Sequence, residues 1–225
     1  RLPVPAETYP TRDFLDTYPE AGRIFLGAQG TLALPLLIDP LLLYYNRDIL
    51  TNAGLPTVPK TWTEFRTKVL PLTTFDDRRN ITRSAIALGD YRNIPRMKDI
   101  LAMLLIQADN PIIDNSGVKP RSLLAETFGY TLLPAAAVLD FYAQFADPAR
   151  PNYAWNRSLP EAKQSFIRGQ SAYYLGPASE WGEIRRSNPK LVFDITLPPQ
   201  KNEGEKITFA RVYGVGIVRG GAKVS

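Results

Sequence analysis

The chain has 225 residues, 44% of them hydrophobic and 22% charged, with no cysteine, no histidine and a formal net charge of +5. That balance describes an ordinary globular protein with room for a core, and it excludes disulfide frameworks, thiolate metal sites and every mechanism that needs an imidazole. The basic residues are scattered or sit beside acids, as at Arg78-Arg79 after Asp76-Asp77 and Arg185-Arg186 after Glu180 and Glu183. Such pairs form no nucleic-acid surface. No apolar run approaches the ~20 residues of a membrane helix, and the longest, LALPLLIDPLLLYY, is broken by two prolines and Asp39. The N-terminal RLPVPAETYPTRD lacks the layout of a signal peptide.

Residues 1–30 are rich in turn formers, with one helical patch over Arg12 to Tyr18. Leu41 to Tyr45 is too short and too apolar for a surface helix and reads as a buried strand. Asn46 caps a helix that follows, with Asp48 in its first turn and Gly54 just past its end. Pro56 and Pro59 then force an elbow, and Thr61-Trp-Thr-Glu64 is a capping box that opens a second helix. Ser84 to Leu88 reads as a strand closed by Gly89. Pro95 starts a helix through Ala108 whose apolar residues recur at helical spacing.

Asn110 to Gly129 reads as loop, and Pro134 opens a helix through Ala146. Ser158-Leu-Pro-Glu161 reads as another capping box, for a helix closed by Gly169. Ala172 to Leu175 is a strand that Gly176-Pro177 turns into a helix over Ser179 to Ser187. Leu191 to Leu197 and Thr208 to Val218 are the last strands. About five strands alternate with six or seven helices, which predicts an α/β fold with a central, mainly parallel sheet flanked by helices. Ligands of such sheets sit at strand exits.

Asp39 interrupts an apolar strand, which points either to a binding carboxylate or to a turn residue before Pro40. A catalytic acid there would need a second carboxylate at close range, and none can be placed. Gly214-Val-Gly216 opens no helix and is no phosphate loop, so no cofactor is expected, and no metal. Trp155 lies in the polar loop Tyr153-Ala-Trp155-Asn156, where an exposed ring would stack on a sugar while Asn156 bonds hydroxyls. Trp181 and at least one of Tyr173 and Tyr174 read as core. Tyr213 interrupts the final strand.

Taken in order, AQGTLALPLLIDPLLLYYNRDILTNAGLPTVPKTWTEF, YAWNRSLPEAKQSFIRGQSAYYLGP, LVFDITLPP and TFARVYGVGIV resemble the extracellular solute-binding proteins of ATP-driven importers. The similarity is to the carbohydrate-type group that includes maltose-binding protein. It implies a type II periplasmic-binding-protein lobe: residues 1–35 a remnant of the first lobe, 36–218 the second lobe with both hinge crossings, and 219–225 the start of a C-terminal segment. Most of the first lobe would then precede Arg1, and terminal helices would follow Ser225. By the same resemblance Asp39 falls at a ligand-contacting hinge carboxylate, and Ala178 or Ser179 falls where a stacking tryptophan is expected. That platform is missing, so Trp155 or Tyr213 would have to supply another. Asn93, in the loop Asp90-Tyr-Arg-Asn93, would read hydroxyls, and Gly176 would border the ligand at the strand exit.

The implied protein is not an enzyme. It is a monomer that captures a small solute, an oligosaccharide or related polyol, by hinge closure and delivers it to an ABC transporter permease. It would be extracellular or periplasmic, held at the membrane only as a lipoprotein through an upstream anchor. Two alternatives stay open: a surface carbohydrate-recognition or sensor module without a transporter, and a carboxylate-based glycosidase.

Overall fold

The computed structural model describes residues 3–115 and 119–218. The expectation for 219–225 lies outside them. The chain begins with α1 (Thr11–Thr17), the two-residue strands β1 (Leu26–Gly27) and β2 (Gly30–Thr31), and the long β3 (Leu34–Asn46). Next come α2 (Arg47–Asn52), α3 (Trp62–Lys68), β4 (Thr74–Phe75), β5 (Ile81–Ile86) and α4 (Met97–Gln107). A short hairpin of β6 (Ile113–Asp114) and β7 (Arg121–Ser122) precedes α5 (Pro134–Ala143) and α6 (Ala162–Ile167). The last elements are β8 (Ser171–Pro177), α7 (Trp181–Ser187), β9 (Phe193–Thr196) and β10 (Ala210–Val215).

The chain forms two compact units, Leu41–Phe209 in one, and in the other the residues up to Pro40 with those from Ala210 onward. The smaller unit is held by a few aromatic side chains: Phe14 and Phe25 are buried with Ala33, and Tyr9, Tyr18 and Val212 pack on them. In it the first half of β3 pairs antiparallel with β10, with a register shift between Tyr213 and Gly214.

In the larger unit the second half of β3 lies between two antiparallel neighbours, with Leu43 facing Leu175 of β8 on one edge and Thr196 of β9 on the other. β8 also pairs with β5, in parallel, and β5 pairs antiparallel with β4. The sheet is therefore mixed, which corrects the expectation of a mainly parallel one; among these strands only β5–β8 is parallel. Alternation of strands and helices fixes that crossovers exist, not which strands they bring side by side. Here the β8–α7–β9 crossover straddles β3, so two strands of one direction flank a third that opposes them.

β8 is buried along all seven residues, which a strand at the centre of a covered sheet requires. Its Tyr173 packs edge-on against Phe65, while Tyr174 joins Tyr44, Phe166 and Phe193 in one aromatic cluster. α4 adds Ile100, Met103 and Leu104 from one face.

Local signals set the first helix starts as expected. Asn46 Oδ1 accepts from the Ile49 N–H at 3.1 Å, and Gly54 takes φ +68°, a left-handed conformation suited to glycine at a helix end. Thr61 Oγ1 accepts from the Glu64 N–H at 3.2 Å, while the Glu64 carboxylate reaches back to the Lys60 N–H at 2.9 Å. The box expected at Ser158 does not form. Ser158 gives both its N–H (2.9 Å) and its hydroxyl (2.6 Å) to Asn156 Oδ1, a local turn that competes with capping. The cap falls to Glu161, whose carboxylate accepts from the Lys163 N–H at 2.9 Å.

Candidate functional site

Because β5 and β8 are parallel, with Ile86 opposite Tyr173, their exits lie at the same end of the sheet. Gly89 follows β5 with φ +96°, and a Cβ on it would lie 2.5 Å from the Ala146 backbone nitrogen, so only glycine passes this point. The next residues are pinned from several sides. Asp90 Oδ1 accepts from the N–H groups of Tyr91 (2.7 Å) and Arg92 (2.9 Å), and its Oδ2 faces Arg157 Nε at 3.5 Å. The Tyr142 hydroxyl of α5 donates to the Asp90 carbonyl at 2.7 Å. Burial by itself would raise the Asp90 pKa, but the Arg92 and Tyr91 N–H groups and the Arg157 charge outweigh it and hold the carboxyl below its ordinary range.

Asn93 ends the loop with its side chain wholly engaged. Its Nδ2 donates to the carbonyls of Asn156 and Leu159, each at 3.0 Å, and its Oδ1 accepts from Trp155 Nε1 at 2.9 Å. This overturns the expected stacking role of Trp155. The ring is fully buried, and its one polar atom is satisfied by an asparagine 62 residues away in sequence. Asn156 is likewise committed, donating to the Tyr153 hydroxyl at 2.7 Å while Ser158 occupies its oxygen. Asn93, Trp155 and Asn156 therefore do come together, as the scaffold of the loop.

What that scaffold presents is Tyr91 and Arg92. Tyr91 is 62% exposed. The Arg92 guanidinium carbon sits 5.7 Å from the centre of its ring, and Arg92 Nε donates to its hydroxyl at 3.3 Å. The pattern Gly89-Asp90-Tyr-Arg directly after a strand was the available signal: an aspartate that folds the next two N–H groups onto itself turns their side chains outward.

The exit of β8 carries a second cluster. Glu180 accepts from Arg96 Nη2 and from the Tyr174 hydroxyl, both at 2.7 Å, with Lys163 Nζ at 3.8 Å. Lys163 also pairs with Glu183 at 2.9 Å. Burial, reinforced by the Glu180 charge, pushes the Tyr174 hydroxyl far above its usual range, so it remains a donor. For Arg96, burial opposes the charge, and the bond to Glu180 more than restores it. The Tyr44 hydroxyl fixes the turn by donating to the Pro177 carbonyl at 2.6 Å.

Gly176 is buried, and a Cβ there would collide with the Tyr174 ring, so it serves packing rather than an open surface. Ser179 is exposed in the turn that follows β8. Asp39 and Tyr213 belong to the smaller unit: Asp39 is buried, opposite Arg211 in the β3–β10 register, and Tyr213 is half exposed opposite Leu37.

A concavity of about 640 Å3 opens elsewhere, lined mainly by apolar side chains such as Trp62, Leu104, Leu132, Val138 and Phe141. Its amide, Gln107, already accepts from Trp62 Nε1 at 2.8 Å and donates to the carbonyls of Pro199 (3.0 Å) and Ile207 (3.1 Å). Thr63, Tyr130, Thr131 and Lys201 are its other polar residues, in a lining that is otherwise mostly apolar. Among the described residues no acidic cluster is placed to hold a metal ion, and no helix is long and apolar enough to cross a membrane.

The chain matches, over residues 2–224, the family model described as bacterial extracellular solute-binding protein. It belongs to that family. The fold is that of type II periplasmic binding proteins. A mannobiose complex of CpMnBP1 superposes with TM-score 0.62 at 17% identity, over 95% of this chain and 53% of that one. The maltodextrin-binding domain MalE from Bdellovibrio bacteriovorus, bound to maltotriose, gives 0.63 at 16%, over 95% and 50%. UgpB from Mycobacterium tuberculosis, in complex with glycerophosphocholine, gives 0.65 at 18%, over 92% and 47%. The chain thus spans about half the length of these structures. No curated protein sequence matches it.

Proposed function

We propose that this chain is part of the solute-binding component of an ABC-type importer, and that it supplies one wall of the solute site from the exits of β5 and β8. The solute is an oligosaccharide or related polyol. The observation that carries the reading is the exposed Tyr91 ring on a loop locked by Asp90, Asn93 and Tyr142. A rigid, outward aromatic face suits the C–H face of a sugar, and a preorganised loop spends little entropy on binding. The complexes with mannobiose and maltotriose support the class of ligand.

Capture proceeds by hinge closure. Closure favours transport because the solute contacts both lobes only in the closed state. The protein works outside the cytoplasmic membrane, tethered as a lipoprotein, and hands its cargo to a permease as a monomer. It is a binding protein, not an enzyme: the buried rim carboxylates are already engaged in holding the fold, Glu180 by Arg96 and Tyr174, and Asp90 by two backbone N–H groups and Arg157. The test is calorimetric titration of the intact gene product with a panel of di- and trisaccharides. Saturable binding without product formation supports the reading, and turnover of the sugar refutes it.

A further inference from the structure

We infer that the solute is anionic, a polyol bearing a carboxylate or phosphate ester, and that Arg92 together with Arg157 receives the negative group. The inference rests on the β5–β8 rim being the solute wall, and it adds the charge of the ligand.

The two charge clusters at the rim differ in balance. In the inner one Arg96 and Lys163 face Glu180 and Glu183 with contacts of 2.7, 3.8 and 2.9 Å, and Asp99 also acts on Arg96, so the acids there outnumber the cations. In the outer one a single acid, Asp90, faces both Arg92 and Arg157. Asp90 is also a poor partner for either guanidinium. Its Oδ1 is taken by two backbone N–H groups, and its Oδ2 lies 3.5 Å from Arg157 Nε, beyond good hydrogen-bond length. The Arg92 guanidinium spends one N–H on a neutral hydroxyl, that of Tyr91. One positive charge is therefore left without a matching acid, beside the exposed ring that would carry the sugar.

Covering that rim during capture takes the charge out of water, which is unfavourable unless an anion arrives with the ligand. A neutral sugar leaves the charge unmatched. An acidic one offers a planar carboxylate or a phosphate to the guanidinium fork, the geometry in which arginine binds most strongly. The Arg92 guanidinium carbon lies 5.7 Å from the Tyr91 ring centre, and Arg157, from the loop before α6, lies 3.5 Å from Asp90, so both cations are tied to the loop that carries the ring.

The experiment is calorimetric titration of the intact gene product with digalacturonate, glucose 1-phosphate and maltose at low and high salt. It is repeated on Arg92→Gln and Arg157→Gln, with thermal unfolding of each variant as the control for folding. One of the two anionic probes should bind at least about tenfold more tightly than maltose, and Arg92→Gln should weaken it by roughly ten- to hundredfold. Added salt should weaken the anion alone. Which probe binds separates the carboxylate from the phosphate ester. Maltose binding as tightly as both anions, or an Arg92→Gln variant that keeps full anion affinity, overturns the inference while leaving the sugar-binding reading intact. Binding of none of the three removes both.

Discussion

Replacing Trp155 by alanine separates a scaffold residue from a stacking platform. The indole is fully buried and its Nε1 donates to Asn93 Oδ1 at 2.9 Å. Truncation removes a core aromatic, at a cost of roughly 3–5 kcal/mol. It also strips Asn93 of a partner, for about 1 kcal/mol more. A total near 5 kcal/mol is a large share of the 5–15 kcal/mol typical of a whole protein. For a chain of this size it corresponds to a fall in Tm of roughly 10–20 °C. Trp155→Phe keeps most of the ring and loses the hydrogen bond, so it should cost only about 1–2 kcal/mol. Thermal and urea unfolding, followed by far-UV circular dichroism, read both variants. Trp155→Ala with an unchanged unfolding midpoint and weakened sugar binding would refute this reasoning and restore the ring as a ligand platform.

Four other outcomes are expected. Tyr173→Phe should be neutral or stabilising by up to about 1 kcal/mol, because the Tyr173 hydroxyl is buried with no hydrogen-bond partner among the described residues; urea midpoints check it. Glu180→Gln should destabilise by roughly 2–4 kcal/mol, since it leaves Arg96 charged and half-buried beside a weaker acceptor; the same titration applies. Gly89→Ala should cost about 2 kcal/mol or more, from a left-handed φ and a clash with Ala146, and it should lower Tm. The folded-state pKa of Asp90 is depressed, so its contribution to stability is present above the unfolded carboxylate range and is lost as the pH falls through the lower, folded value. Asp90→Asn should therefore flatten the acid limb of stability against pH, measured by urea midpoints from neutral to strongly acidic buffer.

Much of the fold was legible because its signals are local. The Asn46 cap, the Thr61–Glu64 pair and the apolar face of α4 each declare themselves within one or two turns of chain. Strand direction was not, because the placement of β8 between β3 and β5, antiparallel to one and parallel to the other, depends on crossovers that no short window contains. Trp155 misled for a related reason. Its neighbours Tyr153, Asn156 and Arg157 make the loop look wet, yet the indole N–H is satisfied by Asn93, which lies far off in sequence. Ser158 failed as a cap because Asn156 offered a nearer acceptor. In the loop 90–93 the sequence singles out Asn93, whose side chain is engaged with Asn156 and Leu159, whereas the exposed members are Tyr91 and Arg92.

The most direct test of the account is the affinity of the intact gene product for its best oligosaccharide with Tyr91 present and with Tyr91→Ala. The ring is exposed and outside the core, so unfolding should not change. Loss of the platform should weaken binding by about tenfold or more. Equal affinity in the two proteins would mean that the β5–β8 rim is not the solute wall.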